Sequence, residues 1–282
     1  MKLSVLIRNL NQATELEICL KSLKHQVTDF AYEVVVVDNE SDDNSVQIAK
    51  YYECKIINLS RKEFTYGKAL NIGIQNCEGE FILNLSSHVT LLSQNFLQQI
   101  PELFSDPTIA GLKFTNVSNS SLTHKAFIKG NTLINWETEH GDINNIWLHG
   151  IVNNCSVIRK TVWQQIAFNE KLFYSEDKVW AYHVLKAGYS IKIHIPLFYQ
   201  YNKAMTRQQI ISKRAMEEAA YILFTKKSHK NYPTGFNAQI KYVLKQLQIF
   251  YLRVTTHWQT QKIVKSVIKS QLNNFNIEES VK

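Results

Sequence analysis

The sequence predicts an α/β fold: a mostly parallel sheet with helices on both faces, followed by a C-terminal helical appendage. Three observations predict it. Strand-like and helix-like patterns alternate from Leu3 to Leu85. The run EVVVVD, Glu33 to Asp38, is apolar on both faces, as a strand covered by helices on each side must be. Beyond Tyr201 the apolar spacing becomes helical throughout.

The elements follow in order. LSVLI at 3–7 reads as a strand, and 13–24 places Leu16, Cys19, Leu20 and Leu23 on one helical face. EVVVVD is next, then a short helix in SVQIAKYY and a strand in KIINL. A helix over 68–77 leads into FILNL, giving β-α-β-α-β-α-β in the first 85 residues. Residues 93–104 read as a helix and IAGLKF as a strand, and 115–150 form a long irregular stretch, a length usually kept for function. CSVIRK, a helix over 176–187 and SIKIHI close the main domain at residue 202. In the remainder, 203–282, YPTGF at 232–236 separates two helical pieces, and Ile240, Val243, Leu244, Leu247, Phe250, Val254 and Trp258 recur at helical spacing.

Composition narrows the function classes. At 282 residues and 45% hydrophobic content the chain can bury a substantial core. No apolar run approaches the roughly 20 residues of a membrane span. The start, MKLSVLIRNLN, lacks a cleavage pattern and is expected to be a strand, not a signal peptide. Cys19, Cys54, Cys77 and Cys155 are scattered without a C-x-x-C pair, so reduced thiols in a cytoplasm are expected and a zinc site is not. The net charge of +8 belongs to the tail, where 203–282 hold 14 Lys+Arg against 4 Asp+Glu. Such a tail is either a solvated face or a surface for anionic lipid. Nucleic acid is disfavoured, because basic residues and stacking aromatics are not interleaved.

In open parallel sheets, ligands bind beyond the carboxyl ends of the strands. Three polar clusters sit at such ends: Arg8, Asn9 and Asn11; Asp38, Asn39, Glu40 and Ser41; and Ser86, Ser87 and His88. They would converge on one crevice.

Five stretches in order carry a resemblance: SVLIRNLN, VVVVDNESDD, Gly67-Lys68-Ala69-Leu70-Asn71-Ile72-Gly73, GEFILNLSSH and SEDKVW. Together they resemble family 2 glycosyltransferases of the GT-A fold, over most of residues 3–202. The resemblance implies that Asp38 accepts the imide N–H of uracil or thymine, with Asn9 in the same nucleotide crevice. Lys68 and Asn71, at a helix start, would meet donor phosphate or sugar. Asp177, next to Glu176, would take the acceptor's proton in an inverting transfer. For each the residues alone leave a second reading: Asp38 as a turn former, Lys68 as a solvated lysine, and Ser175-Glu176-Asp177 as a helix cap with acids in its first turn. Ser41 and Asn44 read as caps.

One departure stands out. Ser86 and His88 occupy the two carboxylate positions of the family's D-x-D motif, which binds ribose and a divalent cation. Ser86 can hydrogen-bond ribose without charge. His88 can ligate a metal, contact the diphosphate as imidazolium, or fill a loop start. If a divalent cation is used, Mn²⁺ is expected before Mg²⁺, which prefers oxygen. If none is used, Arg8, Lys68, His88 and His149 are the cations available for the leaving group. Where the family often has a histidine after the last core strand, this chain offers Tyr199 and Tyr201. Trp180 stacks on a sugar or packs the core, and Trp136, Trp147 and His149 line the acceptor side.

The expected activity is transfer from a UDP- or dTDP-sugar to a lipid-linked or oligosaccharide acceptor in bacterial surface polysaccharide synthesis. FTYG-K-x-L-N tilts the donor toward dTDP, and the basic tail would hold the enzyme peripherally at the inner face of the cell membrane. Two alternatives remain open. A nucleotidyltransferase would want a glycine in RNLNQATE, and a catalytically silent sugar-nucleotide-binding scaffold would be indifferent to loss of Asp177.

Overall fold

The computed structural model describes residues 1–117, 132–203 and 205–225. The chain divides into two compact units, Met1–Lys203 and Ala204–Lys282.

The first unit opens with strand β1 (Leu3–Asn9), helix α1 (Ala13–Lys24), β2 (Tyr32–Asp38), α2 (Ser45–Tyr51), β3 (Lys55–Asn58), α3 (Tyr66–Gln75) and β4 (Phe81–Ser86). The alternation read from the sequence is this order. After it come β5 (Val89–Leu91), α4 (Phe96–Leu103), β6 (Ile109–Asn116), β7 (Thr132–Ile134), α5 (Ile143–His149), β8 (Cys155–Arg159), α6 (Lys160–Gln165), α7 (Glu176–Lys186) and β9 (Ser190–Tyr201). The described part of the second unit is helix α8 (Arg207–Thr225), on which Ile211, Ala215 and Ala219 fall four residues apart. YPTGF and the helical pattern over 240–258 lie outside the described residues.

Among the described residues nine strands form one sheet, ordered β3-β2-β1-β4-β8-β6-β9-β5, with β7 paired to β9. Strands β3, β2, β1 and β4 are mutually parallel, as are β6 and β9. β8 is antiparallel to both β4 and β6, so its amino end arrives beside the carboxyl ends of its neighbours. The sheet is therefore mostly parallel, with β8, β5 and β7 reversed.

Burial explains the placement. Leu3, Val5 and Ile7 of β1 are fully buried and join Leu16, Cys19, Leu20 and Leu23 of α1 in one core. On the opposite face α3 comes so close that a Cβ on Gly73 would overlap Leu6 and crowd Val37. All six residues of β4 are buried. Each fully buried aliphatic side chain contributes about 1.5–3 kcal/mol, which fixes the central strands against their helices.

The structure corrects several readings. SIKIHI extends through IPLFYQY into a strand of 12 residues, whose halves pair with β7 and β5 on either side of a register shift. The stretch 115–150 holds β7 and α5, with 118–131 outside the described residues. Helix α3 starts at Tyr66, two residues early, because Thr65 caps it by accepting Lys68 N–H at 3.1 Å. Among the described residues, no helix is long and apolar enough to cross a membrane.

Candidate active site

The carboxyl ends of β1 and β2 are pinned together. Their ladder sets Asn9 opposite Asp38, and the Asn9 amide donates to Asp38 Oδ1 at 3.1 Å. Ser41 donates its hydroxyl to the same oxygen at 2.6 Å and its backbone N–H to Oδ2 at 2.8 Å. Asn11 N–H reaches Ser41 Oγ, Asp42 N–H reaches Asn11 Oδ1, and Ala13 N–H reaches Asp43 Oδ2, each within 2.9 Å. The two loops are thus zipped into one wall. Asn11 and Glu40 hold left-handed backbone there, at φ 50° and 56°. Asp38 is both the turn former and the buried carboxylate of the wall. Ser41 acts on Asp38, and α2 takes no side-chain cap from Asn44, since Asp43 accepts Ser45 N–H instead.

β4 adds the next layer. Its register sets Ser86 opposite Arg8. The Arg8 guanidinium donates from Nη2 to Asn153 O at 3.1 Å, lies 5.3 Å over the Tyr66 ring, and places Nη1 at 3.9 Å from Glu176. Ser86 is held through its backbone N–H to Asn154 O at 2.9 Å.

The acidic pair opens α7. Ser175, just before it, sits at φ 62° and makes no side-chain cap, so the expected Ser175 cap does not form. Asn153 organises the pair instead: its amide donates to Glu176 Oε1 and its backbone N–H to Asp177 Oδ2, each at 3.2 Å. Glu176 is 5% exposed, and burial together with the Asp177 charge pushes its carboxyl up to about 7. Asp177 is only partly buried. Lys178 Nζ holds Gly150 O and Ile151 O at 2.9 Å, and Lys113 Nζ holds Leu148 O at 2.9 Å, fixing the chain from α5 into Asn153.

The other predicted residues fall elsewhere or turn out to be filled. Asn71 donates to Phe168 O and Glu170 Oε1 and accepts from Trp163 Nε1 and Phe168 N–H, which is its whole hydrogen-bonding capacity. A Cβ on Gly67 would lie 2.5 Å from Asn169 O. In this chain Gly67, Asn71 and Gly73 dock α3 onto β1 and the 163–170 segment. Lys68 pairs with Glu63 at 2.9 Å. Trp180 is a core residue, 1% exposed, donating to Ile166 O at 2.7 Å and packed on Phe168, so no sugar reaches its face. His149 Nδ1 lies 2.8 Å from Glu139 Oε2, which accepts its N–H, and 39% of the His149 side chain is exposed.

The donor set of the Ser86–His88 stretch can be tested against a divalent cation. It contains no carboxylate. His88 spends Nδ1 on Gln12 Oε1 at 2.7 Å, which also takes the Ser87 hydroxyl, and its ring packs edge-on to Tyr201 at 4.4 Å. Among the described residues no three His, Cys, Asp or Glu side chains could share an ion. One buried imidazole among hydroxyls does not fit an ion held by the protein.

Asn153 and Gln12 were missed from the sequence. The doublet Asn153-Asn154 before CSVIRK was the available signal for the first. Gln12 carries no local signal, since its importance comes from reaching the β4–β5 turn.

Comparison with known proteins bears on the family and the fold. The family model described as Glycosyl transferase family 2 matches residues 4–166. The chain is 25% identical over 166 residues to the O-antigen chain rhamnosyltransferase WbaN of Salmonella anatum, covering 56% of this chain and 53% of that one. It thus spans about half the length of that relative. Among solved structures, S. aureus TarS 1–349 in complex with UDP-GlcNAc superposes with a TM-score of 0.60 at 16% identity, covering 100% of this chain and 89% of that one. The mannosyltransferase PcManGT from Pyrobaculum calidifontis, in complex with GDP-Man and Mn²⁺, gives 0.60 at 14% identity, covering 96% and 74%. These likenesses show the GT-A fold.

Proposed function

Because the chain belongs to glycosyl transferase family 2, we propose that it is an inverting glycosyltransferase using a UDP- or dTDP-sugar. The observation that carries this reading is the acidic pair Glu176-Asp177, bound by Asn153 beside Arg8 and Ser86 at the carboxyl ends of the parallel strands.

Asp38 takes the imide N–H of the pyrimidine. Its Oδ2 accepts one hydrogen bond, from Ser41 N–H, and keeps a second lone pair for the base. Asn9 holds that carboxylate in place, and Ser86 meets the ribose. Asp177, the more exposed acid, takes the proton of the acceptor hydroxyl as its oxygen attacks the anomeric carbon. Glu176, buried against Arg8, positions that end of the site. Asn71 and Trp180 act by packing, and Lys68 and His149 stand on the rim, His149 on the acceptor side. A divalent cation, Mn²⁺ before Mg²⁺, would find only His88 as a nitrogen ligand, so no step is assigned to it.

Residues 1–202 form the transferase domain and 203–282 a basic appendage that meets the inner face of the cell membrane, where the acceptor is a lipid-linked glycan. The similarity to an O-antigen rhamnosyltransferase supports a polysaccharide acceptor and a deoxyhexosyl donor. The test is release of UDP or dTDP from a panel of sugar nucleotides supplied with membrane-extracted lipid-linked glycans. Acceptor-dependent release from one donor is expected, and a protein that binds donors but never turns them over would be a scaffold.

A further inference from the structure

Arg8 is left with more positive charge and more donors than its surroundings use. Its guanidinium carries five N–H groups. Nη2 makes one hydrogen bond, to Asn153 O, while Nε is buried with no partner among the described residues. The contact with Glu176 is loose at 3.9 Å, and the side chain is only 13% exposed. Glu176 offsets that charge only in part at neutral pH, because burial and the Asp177 charge raise its carboxyl to about 7. A largely buried arginine this sparsely paired carries a desolvation cost that an anion would offset. Directly opposite in the β1–β4 ladder lies Ser86, in the stretch whose donor set does not fit a protein-held metal. Tyr66 fixes the guanidinium plane from one side.

We propose that Arg8, in place of a metal ion, is the cation that meets the donor's diphosphate, so that nucleotide binding is independent of divalent cations. This rests on the glycosyltransferase reading above. As the acceptor oxygen bonds to the anomeric carbon, the bond from that carbon to the diphosphate oxygen breaks. The proton passes to Asp177, and the electron pair leaves with the diphosphate, whose added charge faces Arg8. The planar fork suits phosphate oxygens in a way a lysine ammonium does not.

The experiment is calorimetric titration of the full chain with UDP and dTDP, in EDTA and in Mn²⁺, with uridine and thymidine as ligands lacking the diphosphate. Wild type, Arg8→Gln, Arg8→Lys and His88→Ala are compared. Diphosphate affinity in EDTA is expected within about twofold of that in Mn²⁺. Arg8→Gln is expected to weaken it by about 10- to 100-fold, with nucleoside affinity unchanged and Arg8→Lys recovering part of the loss. Affinity that requires Mn²⁺ and falls in His88→Ala while Arg8→Gln is silent would overturn the proposal. Equal losses for nucleoside and diphosphate in Arg8→Gln would overturn it too, by making Arg8 structural. If wild type binds neither diphosphate in either buffer, the donor reading itself fails and the proposal with it.

Discussion

Asn153 donates its backbone N–H to the Asp177 carboxylate at 3.2 Å, so the amino end of β8 decides where the acidic end of α7 stands. The same residue accepts from Arg8 and donates its amide to Glu176, which joins the ends of β1, β8 and α7 in one network.

Asn153→Ala keeps the backbone bond to Asp177 and removes the amide. Glu176 then loses its neutral donor, and Ser156 Oγ, 3.3 Å from Asn153 Oδ1, loses its acceptor. Urea denaturation is expected to show a loss of about 1–3 kcal/mol. Asn153→Asp, which sets a third carboxylate against the acidic pair, is expected to cost more.

Asn71 and Gly67 test whether the glycine-asparagine motif is packing. Asn71→Ala leaves the Trp163 N–H and the Phe168 backbone without partners, and Gly67→Ala drives a methyl group into Asn169 O. Each is expected to lower stability by about 1–3 kcal/mol in urea. Calorimetry with UDP and dTDP is expected to give unchanged affinity in whatever fraction folds, and a selective loss of affinity at full stability would return Asn71 to the donor site.

Glu176 gives a pH signature. Its folded value of about 7 lies above the ordinary 4.5, so between the two the folded state holds the extra proton. Its contribution to stability is therefore complete below the ordinary value and lost as pH rises through the folded one. Glu176→Gln has no such loss. Its melting temperature minus that of wild type is expected to grow from about pH 5 to about pH 8, and a flat difference would mean that Glu176 is ionised throughout.

The basic appendage predicts salt-sensitive binding to vesicles rich in anionic lipid, by a chain whose residues 203–282 carry 14 basic and 4 acidic side chains. Deleting 236–282 is expected to abolish sedimentation with the vesicles. Unchanged sedimentation would place the membrane contact elsewhere.

Much of this could be read from the chain. The alternation through Leu85 and the doubly apolar EVVVVD run fixed the parallel half of the sheet, because burial on both faces leaves a local mark in sequence. Asn9, Asp38 and Ser86 were legible as strand ends, and the structure brings the first two into direct contact. Strand direction leaves no such mark. CSVIRK reads the same whether parallel or antiparallel, so nothing local revealed that β8 runs backwards and delivers Asn153 to the site. Gln12 and the three-residue β5 depend on partners more than 70 residues away. Trp180 was ambiguous because a sugar platform and a core side chain share one residue type, and only its burial decides.

The most direct test compares wild type with Asp177→Asn in acceptor-dependent transfer, with donor affinity measured in parallel. Losing the proton acceptor while keeping its shape is expected to lower kcat by about 100- to 10,000-fold and leave UDP or dTDP affinity intact. Turnover by Asp177→Asn at the wild-type rate would contradict the account, because the acidic end of α7 would then have no part in the chemistry.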